Sequence, residues 1–100
     1  MKLGILVNTD RHAGHLSGIT AAAVSLGHEV TIFIMDEGVK LLDDPSIAGL
    51  SSMRGVSMTF CDMSTRRYSI MKDKLPGVIT SGSQYHNAVM NHESDRVIVL

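Results

Sequence analysis

The single cysteine, Cys61, is the residue of this chain best suited to covalent chemistry, because its thiolate attacks electrophilic sulfur and carbon at neutral pH. It ends the stretch Val56-Ser57-Met58-Thr59-Phe60-Cys61 and is followed by Asp62, Ser64, Arg66 and Arg67. A helix capped by Ser64 would bring free amides and a positive dipole end to the sulfur, which favours the anion. Arg66 and Arg67 would add positive potential, and Asp62 would oppose it. The competing reading is a packed thiol, since free cysteine is among the most buried residue types. Both readings stay open on the residues alone.

Other reactive side chains form weaker patterns. His12 and His15 are three apart and His86 and His92 six apart, without the Cys/His spacing of a zinc site, so solvated or capping roles are expected. Asp36 and Glu37 could pair as acid and base, but neighbours after a strand point apart and suit a helix start better. Arg66-Arg67 reads as an anion site or as a solvated face, and Tyr68 and Tyr85 as pocket wall or core edge. There is no G-x-S-x-G elbow, no G-x-G-x-x-G and no G-x-x-x-x-G-K-[ST] loop. Thr9-Asp10-Arg11-His12-Ala13-Gly14 has the outline of a flavodoxin phosphate loop. Asp10 is ill suited to a phosphate, and no tryptophan is present to stack on a flavin.

The elements that must position these groups follow from hydrophobic pattern. Leu3 to Val7 is a short apolar run leading into Asn8-Thr9-Asp10, and Val30 to Met35 is a second such run. Between them, Leu16, Ile19, Ala23 and Leu26 mark one helix face, and Gly27 fits a left-handed cap. Strand, helix and strand in so short a span require parallel strands and a right-handed crossover. Asp36-Glu37-Gly38 opens a short helix over Val39, Leu41 and Leu42. Asp44-Pro45 is a cap with proline in the first turn, followed by Ile47, Leu50 and Met53 on one face and Gly55 as terminator. Val56, Met58 and Phe60 alternate with Ser57 and Thr59 as a third strand. A helix through Arg66, Arg67, Ile70 and Met71 comes next, then loops at Lys72-Asp73-Lys74 and Leu75-Pro76-Gly77. Val78-Ile79 is expected as a very short fourth strand. Ser83 to His92 is expected as a helix with Tyr85, Ala88, Val89 and His92 on one face, and Arg96 to Leu100 as the last strand.

This is one doubly wound α/β domain over residues 1–100, with no linker or repeat. Ligands of such sheets bind beyond the carboxyl ends of the strands, where Asn8, Thr9, Asp10, His12, Asp36, Cys61 and Asp62 should gather. With 44% hydrophobic and 19% charged residues the chain is globular. A net charge of −1 without a basic stripe gives no support to a nucleic-acid or membrane partner. No apolar stretch nears the roughly 20 residues of a membrane span. The start, Met1 to Val7, is too short for a signal peptide, and one free cysteine suits a reducing cytoplasm.

The order and spacing of these segments resemble the DsrE/DsrF-like family of small sulfur-relay proteins. The resemblance rests on the strand into Asn8-Thr9-Asp10, on Leu26-Gly27-His28-Glu29-Val30 and on Phe33-Ile34-Met35-Asp36-Glu37-Gly38-Val39. Gly55 to Cys61 and Ser94 to Leu100 complete it. It implies a three-layer α/β/α fold, Rossmann- or flavodoxin-like, with a five-stranded, mainly parallel sheet. It also implies a homo-oligomer (dimer, trimer or hexamer) and neither a metal nor an organic cofactor. By the same resemblance, Cys61 would receive a sulfane sulfur as a persulfide from a donor protein and pass it to an acceptor thiol. Asn8, Thr9, Asp10, His12, Asp36, Asp62, Ser64, Arg66 and Arg67 would surround it. The rival expectation is a non-enzymatic oligomeric binding module with a structural cysteine.

Overall fold

The computed structural model describes residues 1–100. Five strands, β1 (Lys2–Val7), β2 (Glu29–Ile34), β3 (Val56–Cys61), β4 (Thr80–Gly82) and β5 (Arg96–Val99), form one sheet in the order β4-β3-β2-β1-β5. Every pairing is parallel. Four α-helices, α1 (Ala13–Ser25), α2 (Pro45–Ala48), α3 (Asp62–Arg67) and α4 (Gln84–Glu93), join them, with 3-10 segments at Asp36–Asp43, Gly49–Ser52 and Lys72–Lys74. The three-layer α/β/α expectation holds.

The two layers flanking the sheet differ. On one face Ile5, Val7, Val30, Ile32, Ile34, Met58 and Phe60 pack with Leu16 and Ala23 of α1, Ile47 of α2 and Leu42 of the first 3-10 segment. On the other face only α4 is applied, through Met90 against Phe33 and Cys61. The expected caps form. Gly27 takes φ of +84°, and the Asp44 carboxylate accepts from the Ser46 amide with Pro45 in the first turn. The Ser46 hydroxyl donates to the same oxygen at 2.7 Å, and this bond first, with the amide second, holds the Asp44 carboxyl below the usual carboxylate range.

Four expectations change. The fourth strand is Thr80–Gly82, not Val78-Ile79; Ile79 instead buries its side chain in the main core just before the strand. Helix α3 begins at Asp62 and ends at Arg67, so Ser64 lies inside it, and Ile70 and Met71 lie beyond it. Leu26 caps α1 with 73% of its surface exposed, and Ala23 is the last residue of the helix buried in the core. On α4 the inward residue is Met90, whereas Tyr85, Ala88 and His92 are exposed and Val89 is half-buried. The sheet surface beneath presents Thr31 and Thr59, so the tyrosine gains little by turning inward.

Candidate functional site

Strand β3 delivers Cys61 to the carboxyl edge of the sheet, where it occupies the N-cap position of α3. Its backbone is extended there, and no side chain caps the helix. The thiol is 7% exposed, packed on one side by Phe33 and Met90. On its other side lies an open cavity of about 490 Å³, walled by the ends of β2, β3 and β4 and by the first turns of α3 and α4. Met35, Asp36, Asp62, Met63, Ser64 and Arg66 share this wall with Cys61. So do Gly82, Ser83 and Gln84.

Beside the thiol one carboxylate serves two cations. One oxygen of the Asp62 carboxylate receives Arg66 from the next turn of α3, and the other receives Lys72 from the 3-10 segment Lys72–Lys74. The Lys72 hydrogen bond is the largest influence holding the Asp62 carboxyl below its ordinary value; partial desolvation opposes it and Arg66 adds to it. Arg66 thus pairs with Asp62 at the surface, with 75% of its side chain exposed. Arg67 points elsewhere, with its guanidinium over the ring of Tyr68, whose ring also has Lys40 at 5.0 Å from the centroid.

Asp36 holds a left-handed backbone at φ +49°, a conformation that aspartate tolerates better than most residues. Its amide donates to Ser64 Oγ at 2.9 Å, tying the end of β2 to α3 across the cavity floor. Ser64 is thus a buried brace, not a helix cap. Across the cavity Gly82 pairs in register with Cys61. A Cβ at Gly82 would lie 2.7 Å from Thr59 Cγ2 and 2.8 Å from His86 Nδ1, so only glycine lets α4 start so close to β3. Ser83 and His86 then form a capping box, with the Ser83 amide donating to His86 Nδ1 at 3.1 Å.

The expected site is therefore divided. Cys61, Asp36, Asp62, Ser64 and Arg66 meet at one cavity. Asn8, Thr9, Asp10 and His12 lie at the end of β1, two strands away, and line no cavity. The Asn8 and Thr9 amides donate to the Leu100 carbonyl, and His12 stacks edge-on with His15. Sequence reasoning missed Lys72, Gly82, Gln84, Met35 and Met63. The Gly82-Ser83 pair before a helical run carried a signal, as a strand end followed by a cap. No group of three or more His, Cys, Asp or Glu residues is placed to hold a metal.

An all-parallel α/β sheet with a thiol at a strand end, facing a cavity built by the adjoining loops, defines the class of protein. The DsrE/DsrF-like family matches residues 1–100, and the chain belongs to it. Among solved structures, it is similar to a protein of unknown function, MTH1491 from Methanobacterium thermoautotrophicum. There the identity is 16% and the TM-score 0.73, over 99% of this chain and 98% of that one. The ychN protein from E. coli matches with 13% identity and a TM-score of 0.73, over 99% of this chain and 97% of the other. At these identities the likeness concerns the fold. No curated protein sequence matches the chain. No helix is long and apolar enough to cross a membrane.

Proposed function

We propose that this protein is a sulfur carrier in which Cys61 accepts a sulfane sulfur as a persulfide and hands it to a thiol of a partner protein. The observation that carries the reading is the place of Cys61: at the carboxyl edge of the sheet, facing the cavity of about 490 Å³. Membership of the DsrE/DsrF-like family supports it. In the accepting step the Cys61 thiolate attacks the outer sulfur of R–S–SH. The donor S–S bond breaks, R–S⁻ leaves, and the proton stays on the new Cys61–S–SH. In the second step an acceptor thiolate attacks that outer sulfur and Cys61 leaves as thiolate. Neither step consumes an external oxidant or reductant.

A second reading has its own support, since the thiol packs against Phe33 and Met90 and is 7% exposed. In it the protein is an oligomeric binding module and Cys61 is structural. In either reading, assembly of several copies is supported by the sheet face that α4 covers alone, which leaves Tyr85 and Val99 exposed. A reducing cytoplasm suits the free thiol of both. The experiment is to incubate reduced protein with an alkyl persulfide and follow intact mass. The carrier gains one sulfur, and Cys61→Ser gains none while keeping its fold. Equal sulfur gain by the Cys61→Ser protein would sink the reading.

A further inference from the structure

We infer that His86 is a positioning residue for the Cys61 cavity and makes its wall sensitive to pH: the neutral imidazole caps α4 against β4, and protonation undoes that cap. The inference goes beyond the sulfur-carrier reading and does not depend on it. The Ser83 amide donates to His86 Nδ1 at 3.1 Å. A ring nitrogen that accepts carries no proton, so the capping ring is the neutral Nε2–H tautomer. In the other direction, the Ser83 carbonyl takes the His86 amide, and Ser83 Oγ takes the Tyr85 amide at 3.3 Å.

The third helical position of a capping box is ordinarily Glu or Gln, whose side chains accept throughout the neutral range. Histidine accepts there only while neutral, and imidazole titrates at about pH 6.5. Once protonated, Nδ1 is a donor facing the Ser83 donor, and the ring's charge sits at the positive end of the helix dipole. Tyr85 meets the ring edge-on, with centroids 5.6 Å apart. His86 also lines a cavity over the sheet of about 310 Å³, whose charged members are Lys2 of β1, Glu29 of β2 and Glu93 of α4. On its other side Gly82 adjoins Cys61, whose cavity carries Asp36, Asp62 and Arg66. None of these carboxylates pairs with the imidazole; the ion pairs are those of Asp62 with Arg66 and Lys72. His86 is exposed, so a protonated ring can turn to water.

What the cap positions is the wall beside the thiol. A Cβ at Gly82 would lie 2.8 Å from Nδ1 and 3.0 Å from Cγ of His86, so the imidazole rests on Gly82. Gly82 pairs in register with Cys61, and Gly82, Ser83 and Gln84 line its cavity. Release of the ring therefore loosens residues 82–84 beside a thiol that is otherwise nearly covered.

The test compares the full chain with His86→Gln, which can accept the Ser83 amide at either pH, and with His86→Ala, which can accept it at neither. Chemical denaturation at about pH 7.5 and about pH 5.5, on either side of the imidazole range, gives the folding constants. On acidification the unsubstituted chain should lose about threefold more than either variant, the scale of one helix cap at an exposed site. His12, His15, His28 and His92 are common to all three proteins and cancel. The second readout is the rate at which uncharged dithiodipyridine modifies Cys61, divided by the rate for the same chain unfolded in urea at that pH. In that reaction the Cys61 thiolate forms a mixed disulfide and a pyridinethiolate leaves. The ratio should rise about threefold on acidification in the unsubstituted chain, stay level in His86→Gln, and be high at both pH values in His86→Ala. Equal pH responses of the unsubstituted chain and His86→Gln in either measurement overturn the inference. So does a His86→Ala thiol no more reactive at neutral pH than that of the unsubstituted chain. These failures leave the carrier reading standing, since sulfur loading of Cys61 tests that reading separately.

Discussion

At the carboxyl edge of the sheet, the ends of β1 and β3 are built in opposite ways. The end of β1 lies at the switch point, because β2, β3 and β4 are laid down on one side of β1 and β5 returns to the other. Open α/β sheets ordinarily bind ligands there. In this protein the main chain closes that crevice: the Leu100 carbonyl takes the Asn8 and Thr9 amides, and the Val7 carbonyl takes the Met35 amide. At the end of β3, by contrast, β4 has only three residues and gives way at once to α4. A cavity of about 490 Å³ lies beside Cys61, between the ends of β2, β3 and β4 and the first turns of α3 and α4. Topology thus selects the edge of the sheet, while local pairing decides which strand end stays open.

The contrast is easiest to break at Gly82, which makes the β3 end what it is. A valine there must displace Thr59 and His86, so Gly82→Val should destabilise by about 1–3 kcal/mol. Chemical denaturation measures this, and an unchanged midpoint would show that the close approach of α4 to β3 is unimportant. A smaller loss is expected at the brace between β2 and α3. Ser64→Ala removes the acceptor of the Asp36 amide and should cost about 1 kcal/mol, or roughly 4–8 °C in Tm for a domain this size. Calorimetry reads that shift, and Asp36→Gly should recover part of it by relaxing the left-handed residue. The smallest effect belongs to the β1 end. Alanine at Asn8, Asp10 or His12 should leave the rate of persulfide loading at Cys61 within about twofold, an energy change below ~0.5 kcal/mol. A tenfold loss from any of them would erase the distinction between the two ends.

Much of this arrangement was legible in the residues, because buried parallel strands announce themselves as apolar runs. Leu3 to Val7, Val30 to Ile34 and the β3 stretch ending in Cys61 needed no tertiary information. Strand β4 was not legible. Thr80-Ser81-Gly82 lacks an apolar signature and exists because it pairs with the last residues of β3. The same holds for Lys72, whose role depends on the chain after α3 folding back to Asp62 across ten residues. Ser64 looked like a cap because serine favours that position, yet Asp62 opens the helix and leaves Ser64 to face the end of β2. On α4 the pattern marked Tyr85, Ala88, Val89 and His92 as one face without singling out Met90, which takes the buried place, while Tyr85 lies on the wall of a cavity over Thr31 and Thr59.

The central claim is that the cavity beside Cys61 makes a thiol of 7% exposure usable as a nucleophile. The direct measurement is the alkylation rate of Cys61 in the native protein across pH, read by intact mass. The account predicts complete modification of the folded chain by a small reagent, at a rate that denaturant raises only a few-fold. Protection of the thiol until the protein unfolds would contradict it, and would leave Cys61 as a packing residue beside Phe33 and Met90.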